Sequence, residues 1–373
     1  MKRVLVTGAS GFIGRHLVRH LKLLGYEVRC LVRPESDASV LNDLGVELSV
    51  GTLSDVDSLE RAVAGTDAVV HLAGLTKSLK VQSLWDANEK GARNVASACA
   101  KQSSPPVLIS VSSLAAAGPL LLCDKPQSVE KLRDAESTDA KRMWRVDSEK
   151  GEIWQGDEIA GFRKRTEFDD PSPISDYGRS KLDGEHAVLA LADRVPISIV
   201  RPPIVLGPGD RDGLELFKTI SKFGIHLVPG IKPSLFSVIH VEDLCQGIAA
   251  VLSKGQRATL DQPSVGTYFV SHPNAVLYGR LGDMVGEALG RRGVRCLHVP
   301  RGVVRVTGMV NQVMSYLKRQ PHIFGIDKSR EASTRGFACE VSKLHDECDF
   351  IVSVDLATRF RETADWYREN GWL

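Results

Sequence analysis

The sequence predicts an α/β protein in which a doubly wound parallel sheet carries a smaller lobe from the C-terminal part of the chain. Short apolar runs alternate with amphipathic segments, a glycine-rich turn joins the first run to the first such segment, and 373 residues leave room for an appended unit. Strands covered on both faces read as continuous apolar runs, and their alternation with helices is typical of parallel sheets.

The elements can be read in order from the start of the chain. RVLVTG predicts a strand, the apolar spacing of GFIGRHLVRHLKLLG predicts a helix, and EVRCLV and VELSV predict the next two strands. SDVDSLERAVAG predicts a helix that starts with a cap at Ser54 and ends at Gly65. DAVVHLAG, a helix around 83–101, PVLISVSS, a helix after Tyr177 and PISIVRPP continue the alternation. We therefore expect a sheet domain over residues 1–201.

Two segments interrupt this alternation. Residues 120–168 carry mixed charges and read either as a solvated surface insertion or, because of Trp144 and Trp154, as a lid or subunit contact with a hairpin around 149–151. Residues 299–320 place five apolar side chains at helical spacing: Val303, Val306, Val310, Val313 and Leu317. This helix is expected either to pack on the protein or to meet a membrane surface or a lipophilic substrate.

Composition excludes several classes of function. The formal net charge is +2, so nothing in the overall charge favours nucleic acid or an anionic membrane as a partner. The seven cysteines form no CxxC pair and read as reduced thiols. No signal peptide precedes the first strand, and no run of about 18 apolar residues follows it. These observations predict a cytoplasmic enzyme or binding protein.

The turn VTGASGFIGRHL carries the strongest signal of a ligand. Gly8 permits a tight turn, Gly11 allows a pyrophosphate to approach the backbone, and Gly14 allows the helix to pack closely on the strand. The spacing is GxxGxxG rather than the commoner GxGxxG. The alternative that these glycines only permit a turn, without binding a ligand, therefore stays open. At the end of the second strand Val32 stands where an acid usually meets a free 2′-hydroxyl, and Arg33 follows. An arginine pairs well with a 2′-phosphate, which favours NADP(H) over NAD(H), unless Arg33 is an ordinary surface residue.

A second group of residues predicts proton transfer. Tyr177 and Lys181 form a YxxxK pair that shares one helix face, and Ser112 and Ser113 end a predicted strand where a parallel sheet opens to its ligand. A nearby lysine helps a phenol to ionise, and the phenol can then exchange a proton with a carbonyl or alcohol oxygen. These residues predict hydride-transfer chemistry at a carbon–oxygen bond.

Taken together, the motifs resemble the extended short-chain dehydrogenases/reductases, in the NAD(P)-dependent epimerase/dehydratase group. The matching pieces occur in family order over residues 3 to about 250: TGASGFIG, VVHLAG, NEKG, VSSLAAAGP, YGRSK, RPPIVLGPGD and FSVIHVEDL. The resemblance implies a Rossmann-type fold with a dinucleotide-binding domain over 1–201, including the insertion 120–168. It assigns 202–373 mainly to a substrate lobe, with 236–255 returning to the first domain. It leaves the oligomeric state open, although a homodimer is common in the family.

The resemblance also implies roles for individual residues. Ser113 matches the catalytic Ser or Thr, Tyr177 matches the general acid/base, and Lys181 matches the lysine that lowers the pKa of the tyrosine. Lys77 resembles a lysine of one subgroup. The cofactor-binding positions implied are Gly8, Ser10, Gly11, Phe12, Ile13, Gly14, Arg33, Thr52, Leu53, His71, Ala73, Gly74, Asn88, Ser112, Pro203 and Val205.

Departures from the family pattern narrow the function. Thr52 stands where the third-strand motif usually has an acid, the segment after Ser113 lacks the Asp-Glu pair of sugar-nucleotide 4,6-dehydratases, and Ala117 replaces the tyrosine of many sugar epimerases. Ser113 and Tyr177 are 64 positions apart, which places the insertion near the mouth of the ligand crevice. The missing Asp-Glu pair counts against a dehydratase, Ala117 departs from many sugar epimerases, and Thr52 removes the usual contact of that acid with the adenine.

Three functions therefore stay open. The segments LTK, SSLAAAGP and RPPIVLGPGD are similar to the sterol-dehydrogenase and dihydroflavonol-reductase side of the family. This resemblance and Arg33 favour an NADP(H)-linked dehydrogenase or reductase that acts on a small-molecule carbonyl or alcohol. A nucleotide-sugar epimerase with tightly bound NAD would use the same Ser-Tyr-Lys set, and a non-catalytic dinucleotide sensor is the alternative from a different class. His240 and Asp243 stand close enough to suggest metal ligands, but we expect no metal because the family uses this segment structurally.

Overall fold

The computed structural model of the protein describes residues 2–122, 161–318 and 325–373, without the side chains of residues 313 and 316–318. The hairpin expected around 149–151, together with Trp144 and Trp154, lies outside the described residues.

The described strands are short. They are β1 (Arg3–Thr7), β2 (Glu27–Val32), β3 (Glu47–Val50), β4 (Ala68–His71), β5 (Val107–Val111), β6 (Leu121–Leu122), β7 (Phe162–Arg163), β8 (Ile197–Arg201), β9 (Ile204–Leu206), β10 (Ile225–Pro229), β11 (Leu235–Phe236), β12 (Val238–His240), β13 (Thr267–Phe269), β14 (Val276–Leu277), β15 (Arg295–Val299) and β16 (Gly336–Phe337).

The described helices separate most of these strands. They are α1 (Phe12–Leu23), α2 (Ser39–Asp43), α3 (Val56–Val63), α4 (Gln82–Trp85), α5 (Gly91–Ala100), α6 (Leu114–Ala117), α7 (Asp176–Leu189), α8 (Arg211–Phe223), α9 (Val241–Lys254), α10 (Tyr278–Ala288), α11 (Arg301–Lys318), α12 (Ile326–Ala332), α13 (Ser342–Cys348) and α14 (Leu356–Glu369). A π-helical turn at Asp86–Lys90 joins α4 to α5, so the helix expected around 83–101 is nearly continuous.

Seven parallel strands form the central sheet in the order β13-β8-β5-β4-β1-β2-β3. One core packs α1 and α9 against one face, and a second core packs α3, α5 and α7 against the other. The predicted doubly wound α/β fold is therefore confirmed. The strand order reverses between β1 and β4, and a ligand crevice forms where neighbouring connections leave the sheet in opposite directions.

The C-terminal part of the chain builds the smaller lobe and also returns to the sheet. Helices α8, α10 and α14 share a core that includes Phe217, Phe360 and Tyr367. Helix α9 covers the central sheet, and β13 adds its seventh strand beside β8. The chain thus passes between the lobe and the sheet domain more than twice.

One helix starts at a different residue from the one that the sequence predicts. The helix expected to begin at a Ser54 cap begins instead at Val56, because the Asp55 carboxylate accepts a hydrogen bond of 3.1 Å from the backbone N–H of Ser58. Ser54 faces Thr52, with 3.0 Å between their hydroxyl oxygens. The negative charge of an aspartate at the N-cap is also stabilised by the positive end of the helix dipole. This explains why Asp55 rather than Ser54 caps the helix.

The end of the insertion is buried rather than solvated. Strand β6 pairs with β7 in antiparallel fashion, so the two ends of the insertion meet. Directly after β7, Lys164, Arg165 and Glu167 are buried, and the Arg165 guanidinium donates to the carbonyls of Pro119 and Asp170 at 2.8 and 2.9 Å. The interpretation of 120–168 as a solvated surface segment is therefore wrong for this stretch.

Helix α11 confirms the helix expected over 299–320. It does not pack on the protein through its apolar stripe, however. Val303, Val306 and Val310 are all exposed. The stripe that the sequence places on one face therefore points away from the protein at these three positions.

The turn between β1 and α1 brings two backbone segments very close together. A Cβ atom on Gly14 would lie 2.2 Å from the carbonyl oxygen of Gly8, which is far inside van der Waals contact. Gly302, in α11, has open space around the same position. Neither glycine has the positive φ that would itself oppose a side chain.

We expect Gly14→Ala to destabilise the protein by more than the roughly 1–3 kcal/mol typical of overpacking, because the obstacle is backbone. Gly302→Ala is the matched control: it is expected to be neutral or to stabilise by up to about 1 kcal/mol, since alanine favours a helix. Thermal unfolding of both variants measures the difference. Equal melting temperatures would contradict the close approach at Gly14.

Candidate active site

A cavity of about 1020 Å³ opens at the carboxyl ends of the central strands. The glycine turn forms one wall, the segments after β4 and β5 form the floor, and α7 and the smaller lobe close the other side. This is the location at which doubly wound sheets bind ligands.

The glycine turn presents bare backbone to this cavity. Gly8 has a φ of +74°, and a Cβ there would lie 2.7 Å from the backbone nitrogen of Ala73. Gly11 is the N-cap of α1 and supplies no side-chain cap, and the first turn of α1 carries no acidic side chain. The free N–H groups and the positive end of the helix dipole suit an anion such as a pyrophosphate.

The buried floor offers a further polar group. The Oγ atom of Ser112 is buried and has no hydrogen-bond partner among the described residues. A buried unpaired hydroxyl is costly, so it marks a position that a ligand is suited to complete. Together with the glycine turn, this atom fits the residues of the cavity to a dinucleotide.

Ser113 lies directly beyond β5 at the start of α6. Its side chain accepts a hydrogen bond of 3.1 Å from the N–H of Ala115 and lies close enough to the Tyr177 phenol to lower the pKa of that group. Both Ser113 and Tyr177 line the cavity. The structure therefore brings together two predicted catalytic residues that are far apart in the sequence.

Tyr177 is held in the first turn of α7. The Ser175 hydroxyl caps this helix by accepting from the N–H of Gly178 at 3.0 Å. The Asp327 carboxylate accepts from the N–H groups of Asp176 and Tyr177, each at 3.0 Å. Burial raises the pKa of Tyr177 above its ordinary value, while Ser113 and the positive charge of Lys328 act in the opposite direction.

Lys181 lies one turn further along α7. Its ammonium group donates to the carbonyl oxygen of Val111, at the end of β5, over 2.7 Å. Burial lowers the pKa of Lys181 to about 8, although the carboxylate of Glu185 opposes this shift. A buried ammonium group with a lowered pKa is a feature typical of functional sites.

Asn88 connects the segment after β4 to the helix that carries Tyr177. Its amide oxygen accepts from the N–H of Leu75 at 2.8 Å, and its NH₂ group donates to the Leu75 carbonyl and to the Ser180 hydroxyl, both at 2.9 Å. A Cβ on Gly74 would lie 2.6 Å from that amide oxygen. Asn88 thus fixes the distance between two walls of the cavity.

Most of the residues predicted for the site line this cavity. They are Gly8, Gly11, Phe12, Ile13, Gly14, Gly74, Asn88, Ser112, Ser113, Tyr177, Lys181, Pro203 and Val205. Lys77 also lines it and forms an ion pair of 2.8 Å with Asp212 of the smaller lobe.

The other predicted residues lie nearby but off the cavity wall. They are Ser10, Arg33, Thr52, Leu53, His71 and Ala73. His71 is buried at the end of β4, with its Nδ1 atom 2.7 Å from the Thr7 hydroxyl. Burial, together with the charge of Lys181, lowers the pKa of His71 to about 3. Arg33 directly follows β2, is exposed, and lies 3.4 Å from Glu35.

Three residues of α12 reach the site although no sequence motif indicates them. Asp327 caps α7, and Glu331 accepts from the Ser175 hydroxyl and pairs with Lys328, each over 2.7 Å. The Lys328 side chain is half exposed. Its partial burial lowers its pKa, but Glu331 more than offsets this and the net shift is upward. They lie about 150 positions after α7 in the chain, so no local spacing connects them to it.

The two residues that suggested a metal serve structural purposes. His240 is the N-cap of α9 and accepts from the N–H of Glu242 at 3.3 Å. Asp243 forms a buried ion pair with Arg359. Within the described ranges, no group of three or more His, Cys, Asp or Glu side chains is arranged to hold a metal ion.

Two curated relatives match two thirds or more of the chain. A curated relative, the ceramide reductase of Caulobacter vibrioides, is 29% identical over 372 residues, covering 99% of this chain and 96% of the relative. The decarboxylating sterol-4-alpha-carboxylate 3-dehydrogenase of Dictyostelium discoideum is 26% identical over 260 residues, covering 68% of this chain and 69% of the relative.

Solved structures share the fold. A dTDP-glucose 4,6-dehydratase from Streptomyces venezuelae, determined with NAD bound, superposes with a TM-score of 0.70 at 19% identity, covering 99% of this chain and 98% of that one. The family model for the NAD dependent epimerase/dehydratase family matches residues 4–145 and 148–262. The chain therefore belongs to the NAD-dependent epimerase/dehydratase family, whose enzymes include oxidoreductases and epimerases.

Proposed function

We propose that this protein is an NADP(H)-linked reductase or dehydrogenase that interconverts a carbonyl compound and its alcohol. The observation that carries the proposal is that Ser113, Tyr177 and Lys181 line one cavity together with the glycine turn. The nicotinamide ring, when bound, supplies or accepts the hydride. The protein must then hold the substrate oxygen and move one proton.

Tyr177 is the proposed proton donor and acceptor. Burial raises its pKa, so the phenol is protonated near neutral pH and can give its proton to the oxygen of a carbonyl substrate during reduction. Ser113 donates a hydrogen bond that orients the same oxygen. Lys181, anchored on the Val111 carbonyl, contributes positive charge on the same helix.

Lys328 is proposed as a residue that tunes this proton transfer. Its charge lowers the pKa of Tyr177 and so favours the phenolate. Its ion pair with Glu331 holds it in place, and Glu331 is itself bonded to Ser175 at the start of α7. Lys328 therefore offsets part of the effect of burial on the pKa of the phenol.

Arg33 supports NADP(H) as the cofactor. It follows β2 immediately, at the end of the strand where the 2′-position of a bound adenosine ribose is recognised in this fold. The guanidinium is exposed and its partner Glu35 is equally exposed, so it is free to exchange this weak ion pair for a phosphate.

Relatives suggest which substrates to test first. The names of two similar proteins, a ceramide reductase and a sterol dehydrogenase, point to lipophilic carbonyl or alcohol compounds. The second candidate is a nucleotide-sugar epimerase, because a UDP-glucose 4-epimerase of Vibrio cholerae is 29% identical over 65% of this chain. Purified protein is assayed for NADPH oxidation with a keto-ceramide analogue and a 3-ketosteroid, and for epimerisation with UDP-glucose. NAD retained through purification would favour the epimerase.

We expect Tyr177→Phe to lower kcat by roughly 10²- to 10⁴-fold, which is the usual contribution of a positioned acid or base. Because the ring is retained, NADPH affinity should change little. Single-turnover rates and NADPH titration separate the two effects. A variant with the wild-type rate would contradict the role of Tyr177.

Arg33→Ala is expected to weaken NADPH binding by about 10- to 100-fold, the range for loss of a hydrogen bond to a charged group, and to leave NADH binding unchanged. Glu35→Gln is the matched control, since it keeps the arginine and removes only its carboxylate partner. Fluorescence titration with both cofactors measures this preference. Equal losses for NADPH and NADH would remove Arg33 from 2′-phosphate recognition.

Replacing Lys328 with Met should raise the pKa of Tyr177, because a positive charge that stabilises the phenolate is lost. In the direction of alcohol oxidation the phenolate accepts the proton, so activity rises with pH through this pKa. We therefore expect the midpoint of the profile to move upward. Lys328→Arg keeps the charge and should keep the wild-type midpoint. An unchanged profile in Lys328→Met would rule out this role.

A further inference from the structure

Helix α11 packs on the protein through its less apolar face. Val304 and Ser315 are buried, and Gly308 lies against the Ser329 side chain and the Gly325 carbonyl at the start of α12. Small and polar residues thus form most of the inward face. This is the reverse of the usual orientation of an amphipathic helix, whose apolar stripe faces the core.

The outward face of α11 is apolar. Its exposed members recur at helical spacing and are Val303, Val306, Met309, Val310 and Met314. Val306 and Val310 are 58% and 54% exposed, whereas Val304 is 5% exposed. Single exposed apolar residues are ordinary, but a continuous stripe on one helix is not.

The apolar surface continues on the strand pair that leads into α11. Leu227 of β10 is the direct register partner of Leu297 of β15, and the two side chains are 54% and 47% exposed. Ile231 follows β10 and is 75% exposed. Its neighbour Gly230 lies against the Arg301 side chain in the first turn of α11. We call these three apolar residues and the five of α11 the apolar face.

The segment that carries six of the eight residues of the apolar face has acidic side chains nowhere and arginines at several positions. Residues 288–315 contain five arginines and no Asp or Glu, although the chain as a whole has 48 Lys and Arg against 46 Asp and Glu. The five are Arg291, Arg292, Arg295, Arg301 and Arg305, and all are exposed. An exposed apolar stripe beside cations alone is the pattern of a helix that lies in the headgroup region of an anionic bilayer.

We propose that the apolar face docks the protein on the surface of a membrane that contains anionic phospholipids. Among the described helices, none is long and apolar enough to cross a bilayer, so α11 would lie in the plane of the surface. The net charge of the whole chain is near neutral because acidic residues elsewhere offset these arginines. It therefore gave no reason to expect a membrane. The proposal does not depend on the proposed function.

The position of α11 connects the apolar face to the active site. Helix α11 rests on α12, and α12 carries Asp327, which caps the helix of Tyr177, and Lys328. One short helix therefore separates a docked bilayer from the catalytic residues. A lipid-soluble substrate dissolved in that bilayer would therefore reach the enzyme from the side on which the active site lies.

Vesicle flotation tests the proposal directly. The full-length protein is mixed with vesicles of phosphatidylcholine, or of phosphatidylcholine with 30 mol% phosphatidylglycerol, at low and high salt. We expect flotation with the anionic vesicles, which weakens at high salt because the attraction is partly electrostatic. No flotation with either vesicle, or equal flotation with both at either salt concentration, would overturn the proposal.

Matched variants locate the surface. Val306→Ser combined with Val310→Ser should weaken partitioning by roughly tenfold or more, since two apolar side chains are lost. Arg301→Gln combined with Arg305→Gln should weaken it by about fivefold for each arginine. The controls are Leu23→Ser with Ile351→Ser, and Arg361→Gln, which change exposed residues elsewhere and should bind as wild type does. Equal loss in the controls would contradict the proposal.

Two further measurements distinguish membrane docking from misfolding and from self-association. Thermal unfolding of each variant verifies that its fold is intact. Sedimentation of the wild type and the valine variant, without vesicles, tests for self-association. A stable oligomer that dissociates only in the valine variant would assign the apolar face to a second copy of the chain and overturn membrane docking.

Discussion

The geometry of the active site depends on how closely α7 can approach the elements beneath it. A Cβ on Gly178 would lie 2.5 Å from the Ala115 carbonyl oxygen, and one on Gly184 would lie 2.3 Å from the Asn88 carbonyl oxygen. These two glycines allow α7 to rest on backbone at both ends of its catalytic segment. Because close-packed interiors do not yield without cost, Tyr177 and Lys181 keep their positions relative to Ser113. A side chain at either glycine would lift the proton-transferring residues away from the floor of the cavity.

The charged side chains that contact α7 are satisfied by ion pairs and hydrogen bonds within the protein rather than by solvent. Glu185, one turn after Lys181, forms a buried bidentate ion pair with Arg201 at the end of β8, at 3.0 and 2.6 Å. Asp327 and Glu331 perform a similar task on the opposite side of α7, where they hold backbone N–H groups and a capping hydroxyl. Buried charges of this kind cost free energy unless they are satisfied. Here they fix both ends of α7, and the site gains its rigidity from interactions that reach into the smaller lobe.

How much the sequence predicts depends on how local each cause is. The sheet follows from short apolar runs along the chain, and the shared helix face of Tyr177 and Lys181 follows from their spacing of four residues. The structure has the sheet, and both side chains line the cavity. The α12 residues that complete the site have no such signal, because their contacts with α7 arise only when the two parts of the chain pack together. Periodicity predicts α11 equally well, yet it cannot say which face is covered, since a hydrophobic stripe does not identify its partner.

The orientation of α11 is informative because nothing in its local sequence requires it. If burial of apolar surface on the protein were the only force, rotation about the helix axis would place the valine stripe on α12 and the small polar face in water. Gly308 opposes this rotation, since its lack of a side chain allows α11 to approach Ser329 and Gly325 closely. The close contact is therefore made by the face that can come nearest, and the apolar face is left for another surface. The five surrounding arginines then select among such surfaces, because repulsion between like charges disfavours a second copy of the same face while anionic headgroups attract it.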